Sequence, residues 1–132
     1  MAEAELEVQK AIFDALAAAG ATPYDRIPLG AVFPYWGISD CHVMGDLAQG
    51  YDGSEVHCTL HGWSRAVGKV EIKAQAGLVR RTLAPLAGGP PPFALVTHQL
   101  ITWTYESTLY LDDPDGITRH AVVTIQYLTR PF

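Results

Sequence analysis

The stretch EVHCTLHGWSR, from Glu55 to Arg65, alternates apolar residues with histidine, threonine and tryptophan and is the clearest structural signal in the chain. Successive side chains of a β-strand point to opposite faces of the sheet, so this alternation predicts a strand with one buried face. The set expected on the buried face is Val56, Cys58 and Leu60, and the opposite set is His57, Thr59, His61 and Trp63.

The cysteines and histidines in and before this stretch raise the hypothesis of a zinc site, because Cys41 and His42 lie upstream and supply the same ligand types. Cys58 and His61 are separated by an odd number of residues, however, and therefore face opposite ways in a strand. His57 and His61 share a face but lie about 13 Å apart along it, too far for one ion with bonds of about 2 Å. The sequence therefore predicts no metal site.

A catalytic nucleophile is the second hypothesis for this stretch. Cys58 or Ser64 would need a base and an oxyanion hole, and no GxSxG turn accompanies either residue. A cysteine within an apolar set is typical of a buried structural thiol. We therefore predict no catalytic residue and no cofactor, and we expect His57 and His61 to lie in an exposed or interfacial row.

The composition is that of a globular protein, with 48% apolar and 17% charged residues. A chain of 132 residues fits one domain, residues 1–132. The net charge of -5 argues against nonspecific binding of nucleic acid, which relies on clustered lysine and arginine. Two cysteines and no leading apolar segment favour synthesis in a reducing cytoplasm, and no apolar run approaches the roughly 20 residues that span a membrane.

Two amphipathic helices are predicted from apolar residues at helical spacing. The first covers residues 4–19 and should end at Gly20, and the second covers residues 66–86 with Ser64 as its N-cap. The apolar stripes are Val8, Ile12, Ala15, Leu16 and Ala19 in the first helix and Ile72, Ala76, Val79, Leu83 and Leu86 in the second.

Four strands are predicted, at residues 31–43, 54–64, 95–111 and 117–128. Glycine and aspartate favour a loop at residues 44–53, AGGPPPF favours a stiff connector, and DDPDG favours a tight turn at residues 112–116. In the last strand apolar and polar residues alternate, which predicts one buried face. The apolar set is Ile117, Ala121, Val123, Ile125 and Tyr127, and the polar set is Thr118, His120, Thr124 and Gln126.

The order of these elements predicts an α+β fold, with a single twisted and mainly antiparallel sheet of about four strands and two helices packed on one face. The other face of the sheet then carries tryptophan and tyrosine without a covering layer. An uncovered face of this kind is often covered by another chain, so the sequence favours an oligomer.

Three short motifs resemble a known family. They are Phe33-Pro34-Tyr35 within YDRIPLGAVFPYWGIS, Trp63-Ser64-Arg65 at the end of the quoted strand, and Thr118-Arg119-His120 at the start of the last strand. Their order and spacing, over nearly the whole chain, resemble the tail completion or tail terminator (head-tail joining) proteins of long-tailed bacteriophages and gene transfer agents.

The resemblance implies a structural protein of the virion tail or neck, assembled in the host bacterial cytoplasm, rather than an enzyme. It implies a homo-oligomer, a hexameric ring, that ends the tail tube and joins it to a head connector or stopper protein. DNA would pass through this ring without sequence-specific binding. The interface candidates are His57, His61, Trp63, Asp46, Tyr51, Asp112, Asp113, Asp115 and Arg119.

Two loops are expected to protrude most and to reach neighbouring rings, namely residues 45–53 and 112–116. Two other functions stay open at this point. One is a small α+β enzyme or ligand-binding module that uses the face carrying His57 and His61, and the other is a homo-oligomeric adaptor unrelated to phages.

Overall fold

The computed structural model describes residues 3–46, 53–86 and 89–132, and this part of the chain forms two helices and one sheet of five strands. The elements are α1 Ala4–Ala18, β1 Pro23–Tyr24, β2 Tyr35–Asp46, β3 Gly53–Ser64, α2 Val70–Leu83, β4 His98–Asp112 and β5 Arg119–Pro131. The strand order is β1-β2-β3-β5-β4, and only β1 pairs in parallel. The predicted α+β class is confirmed, and the two-residue β1 accounts for the extra strand.

Helix α1 follows its apolar stripe closely. Its buried residues are Ala4, Val8, Ile12 and Leu16. The helix ends as predicted at Gly20, whose φ of 87° is a left-handed conformation that glycine adopts readily. The amide of Gly20 donates to the Ala17 carbonyl and the amide of Ala21 donates to the Leu16 carbonyl, so this C-cap is a Schellman motif. No helix in the three described ranges is long and apolar enough to span a lipid bilayer.

Helix α2 is shorter than the predicted range of 66–86. Gly68 takes a left-handed φ of 76°, so the helix begins only after it. The prediction of Ser64 as N-cap is wrong, because Ser64 is the last residue of β3 and its hydroxyl donates to Glu71 Oε1 at 2.7 Å. The residue before a proline is biased away from helical conformation, which explains why the helix ends ahead of Pro85 and leaves Leu86 exposed.

The carboxylate of Glu7 links α1 by hydrogen bonds to the chain segment that leads into β4. Glu7 accepts hydrogen bonds from the backbone amides of Val96 and Thr97, from the Thr97 hydroxyl, and from His98 Nδ1 at 2.6 Å. Burial raises the pKa of Glu7, but these hydrogen bonds outweigh it and lower the pKa to about 2. The charged carboxylate therefore stabilises the packing of the first helix.

The core lies between the helices and one face of the sheet. Its fully buried sheet residues include Trp36, Val56, Cys58, Leu60, Ala121, Val123, Ile125 and Tyr127. The Tyr127 hydroxyl donates to the Leu83 carbonyl at 2.7 Å and thereby satisfies a carbonyl at the end of α2. The predicted burial of Ile117 is wrong, because Asp115 binds Thr118 and extends the turn, so the alternation begins only at Arg119.

The predicted loop at residues 44–53 is wrong at both ends. Met44, Gly45 and Asp46 belong to β2 and pair with residues 55, 54 and 53 of β3. The rest of that loop, residues 47–52, and residues 87–88 of the AGGPPPF connector lie outside the described residues. The remaining connector, residues 89–93, is neither helix nor strand, as predicted.

The two hairpins of the sheet lie at opposite ends. Strand β3 pairs with β5 from Ser54 opposite Thr129 to Ser64 opposite Arg119. The β2–β3 hairpin therefore closes beyond the Ser54 end, and the β4–β5 turn closes beyond the Ser64 end. A strand of this length separates the two ends by about 36 Å.

Candidate interface on the open sheet face

The sheet face turned away from both helices, called the open face below, carries a connected cluster of rings near the end of β3. We call Phe33, Tyr35, His61, Trp63 and His120 the ring cluster. Phe33 and Tyr35 have centroids 4.9 Å apart, and Tyr35 and Trp63 have centroids 5.3 Å apart. Trp63 stacks on His120 at 4.9 Å with an interplanar angle of 16°.

The ring cluster brings together the three motif segments that lie far apart in the sequence. Arg65 places its guanidinium 4.5 Å from the Phe33 ring centre, and its Nε donates to the Thr118 hydroxyl at 3.1 Å. Phe33, Arg65 and His120 come from different segments, so the cluster exists only in the folded sheet. Each segment resembles the family in sequence, but the contact among the three segments could not be predicted from the sequence.

Strand register extends the ring cluster into an apolar row across the sheet. Tyr35, Trp63, His120 and Leu111 lie directly opposite one another on β2, β3, β5 and β4. Leu111 is 48% exposed and the neighbouring Leu109 is 58% exposed. Exposed apolar residues next to stacked rings form a surface suited to contact with another protein.

Two histidines of the ring cluster are in hydrogen-bond contact. His61 Nδ1 lies 2.7 Å from His120 Nε2, so a single N–H between them satisfies both nitrogens. Burial lowers the pKa of His120, the neighbouring His61 lowers it further, and Asp113 opposes the shift. The lowered pKa favours the neutral ring of His120, which suits a dry protein contact better than a charged ring does.

A second group of polar residues lies further along the open face. His57 stacks on His42 with centroids 5.1 Å apart and lies between two carboxylates, 3.5 Å from Glu55 and 3.4 Å from Glu106. Its Nε2 is buried and has no hydrogen-bond partner within the described part of the chain. This region is thus more polar than the ring cluster.

The structure places three interface candidates on the open face, namely His57, His61 and Trp63, as the alternation predicts. Asp46 is the last residue of β2, its side chain is outside the description, and Tyr51 lies outside the described residues altogether. The interface role of all these residues stays a prediction.

The remaining candidates lie in or beside the β4–β5 turn. Asp115 accepts hydrogen bonds from the hydroxyl and amide of Thr118 and from the Ile117 amide, and these bonds lower its pKa to about 2. Its carboxylate therefore closes the turn. Among the described residues, the side chains of Asp112 and Asp113 make long ion pairs, at 3.6 Å, with Arg119 and His120 respectively, and they are better placed to meet a partner.

The residues considered for a zinc site divide between the two faces of the sheet. Cys41 and Cys58 face each other on the helix side, with Sγ atoms 2.8 Å apart, whereas His61 lies on the open face. Within residues 3–46, 53–86 and 89–132, no three or more histidine, cysteine, aspartate or glutamate side chains are grouped so that they could hold a metal ion. The sequence did not reveal that the cysteines face each other.

A cavity of about 360 Å³ lies beside the ring cluster and is lined by Asp25, Ile27, Gly37, Ile38, His61 and Trp63. This volume is within the range of small-ligand sites. The described residues of its lining include no serine, cysteine or lysine, and Asp25 accepts a hydrogen bond from Gln9 at 2.7 Å.

The family described as Tail completion protein gp17 matches residues 9–130, nearly the whole chain, so this is a structural protein of a virion tail. The chain belongs to the tail completion protein gp17 family. The resemblance of the three motifs to this family is thereby confirmed.

The fold of this chain is similar to that of a chain in a solved structure. A chain of "Virion of native gene transfer agent (GTA) particle" superposes with a TM-score of 0.78 at 16% identity, covering 98% of this chain and 99% of that chain. At this identity the match shows a shared fold. No curated protein matched the chain.

Proposed function

We propose that this protein forms a ring that ends the tail tube and joins it to the head connector, with the ring cluster in the contact between protomers. The observation that carries the proposal is the ring cluster itself. It is built from the three segments that resemble the family, yet it lies on the face that no helix covers. Aromatic side chains on a face of this kind contribute most to binding energy when a partner protein excludes water from them.

The sheet edge supports a head-to-tail arrangement of protomers. Strand β4 is the last strand of the sheet, and it carries the exposed Leu109 and Leu111 beside the ring cluster. An edge on one protomer that meets a different surface on the next gives a heterologous contact, and repeated contacts of this type form a ring when the rotation between protomers closes. The negative net charge suits a ring through which DNA slides, because like charges do not attract.

The hairpins at opposite ends of the sheet support a joining role. A protomer whose strands run between two structures can contact one with the β2–β3 hairpin and the other with the β4–β5 turn, about 36 Å away. A chain of this fold occurs in the structure of the GTA virion particle. The two ends thus supply separate contacts for the tail tube and the head connector.

Light scattering of the purified chain, alone and with the tail tube protein, tests the ring. We expect a particle of about six protomers in at least one of these conditions. Leu111→Arg should reduce its formation at least tenfold, because a charge would replace an apolar side chain in the contact. Leu29→Arg, at a fully exposed leucine between β1 and β2, is the matched control. A monomer in every condition contradicts the ring.

Variants of the β4–β5 turn test the joining role. Asp112→Ala with Asp113→Ala leaves the turn-closing Asp115 in place, so the fold should remain intact. We expect electron microscopy to show heads and tails that remain separate, and the yield of infectious or gene-transferring particles to fall. Val67→Ser, in the exposed link between β3 and α2, is the control. Normal particle yield from the double variant would exclude contact through this turn.

The alternative of an enzyme or ligand-binding module is tested by replacing His57 and His61 with alanine. Loss of a measurable binding or catalytic activity, with assembly unchanged, would favour that alternative. A change in assembly alone supports the ring.

A further inference from the structure

The sheet places the two cysteines of the chain directly opposite each other. Cys41 of β2 and Cys58 of β3 are register partners, and their Sγ atoms are 2.8 Å apart. Both are free thiols. Directly opposite residues on antiparallel strands have Cα atoms about 4.5–5.5 Å apart, and disulfides accept about 4.4–6.8 Å. The backbone therefore provides the spacing of a disulfide without rearrangement.

We propose that Cys41 and Cys58 are an oxidation site that forms a cross-strand disulfide once the particle has left the cell. The inference rests on membership of a virion protein family and does not require the ring. Virion proteins are made in a reducing cytoplasm and then meet an oxidising exterior, where disulfides persist. The protein would thus assemble with two thiols and act with one disulfide.

The two thiols have different access to an oxidant. Cys41 is half-buried, whereas Cys58 is fully buried. The hydrogen bond with Cys41 raises the pKa of Cys58 well above its ordinary value, and burial adds to this effect. Because the thiolate is the reactive form, oxidation begins at Cys41 and ends at Cys58.

Oxidised glutathione is a suitable oxidant for this reaction. The Cys41 thiolate attacks one glutathione sulfur, which forms a mixed disulfide and releases one glutathione thiolate. Cys58 then gives its proton to the released thiolate and attacks the Cys41 sulfur. This second step forms the protein disulfide and expels the other glutathione as a thiolate, which takes up the proton that Cys41 had released to solvent. Two protein thiols are oxidised, and one oxidised glutathione is reduced to two thiols.

The disulfide would link β2 and β3 at the middle of their ladder, and residues 47–52 lie within the chain segment that it closes. A link across a segment of this size lowers the entropy of the unfolded chain. The expected result is a melting temperature higher by roughly 10 °C in the oxidised protein.

The test compares the full chain after incubation in reduced and in oxidised glutathione. We expect the disulfide of the oxidised protein to lie within a single chain. The intact mass should fall by two hydrogen atoms, and peptide mapping should show Cys41 joined to Cys58. Its melting temperature should rise, whereas Cys41→Ser and Cys58→Ala should show no rise under the same conditions. Two thiols that are alkylated when the oxidised protein is unfolded, or disulfides only between chains, would overturn the proposal.

A second measurement does not depend on any variant. Particles and cell lysates are unfolded in the presence of N-ethylmaleimide, so that the buried thiol is also reached, and the two cysteines are mapped by mass spectrometry. We expect unmodified, disulfide-linked cysteines in released particles and alkylated cysteines in the lysate. Alkylated cysteines in both samples would show that no disulfide forms in use.

Discussion

Adding one methyl group at Gly62 tests the closest packing in the core. Gly62 of β3 lies opposite Trp36 of β2, and the indole ring covers the position that a side chain would occupy. A Cβ at residue 62 would lie 2.7 Å from three carbons of that ring. Carbon atoms pack at about 3.5–4.0 Å, so the indole would have to move by roughly 1 Å.

The indole has little room to move. Trp36 is fully buried, and its Nε1 donates to Gln75 on α2 at 3.2 Å. Overpacking of this kind costs about 1–3 kcal/mol, and the lower entropy of an unfolded alanine chain offsets roughly 0.5–1 kcal/mol of it. We therefore expect Gly62→Ala to lower the free energy of unfolding by about 1–2 kcal/mol. For a chain of 132 residues this corresponds to a melting temperature lower by roughly 4–7 °C.

Gly45→Ala provides the matched control for this experiment. Gly45 lies in β2, and an added Cβ there would meet no atom of the described residues within 4 Å. Circular dichroism and urea unfolding of both variants should show Gly62→Ala destabilised and Gly45→Ala unchanged or slightly stabilised. Equal melting temperatures for the two variants would refute the packing argument.

Two further predictions concern buried polar contacts. Glu7→Gln should destabilise the protein by about 1–3 kcal/mol at neutral pH, because it removes the charge that accepts from His98 and its neighbours. The pKa of Glu7 falls from 4.5 to about 2 on folding, so this stabilisation is present above pH 4.5 and is lost as the pH falls towards 2. A difference in melting temperature between wild type and variant that stays constant over that pH range would contradict the assignment. Tyr127→Phe should cost about 1–2 kcal/mol, because it leaves the buried Leu83 carbonyl without its donor. Tyr110→Phe, at a half-buried tyrosine, is the comparison, and an equally small loss in both variants would be inconsistent with a buried hydrogen bond.

The alternation of residue types predicted which face of β3 is buried. Val56, Cys58 and Leu60 are fully buried, and His57 and His61 lie on the other face. This succeeded because one buried face fixes the period of a strand and leaves no freedom of register. The apolar stripes of the helices were also predicted correctly within the residues that form helix, because a buried face fixes the period of a helix too.

Local signals were less reliable at the ends of elements. Ser64 has the side chain of an N-cap, yet the strand continues through it and Gly68 delays the helix. Leu86 continues the apolar spacing of α2, but the helix has already ended before Pro85. Tertiary contacts and backbone conformation therefore overrode propensity at these positions.

Contacts across the sheet could not be predicted from the sequence. The pairing of Cys41 with Cys58 depends on an irregularity in β2 between Ile38 and Asp40, which shifts the register by one residue. The contact of His61 with His120 joins residues 59 positions apart. Such pairings depend on turn lengths and bulges, and the composition of either strand does not contain that information.

The opposite placement of the two hairpins has a mechanical consequence. One hairpin consists of β2 and β3 and the other of β4 and β5, and they are joined through the β3–β5 ladder, which is in register from Ser54 to Ser64. A pull between the two hairpin tips runs along these strands and loads the ladder in shear. The backbone hydrogen bonds then share the load and must break together, whereas a pull across the strands would break them one after another. The sheet is therefore strongest along the line that connects its two tips.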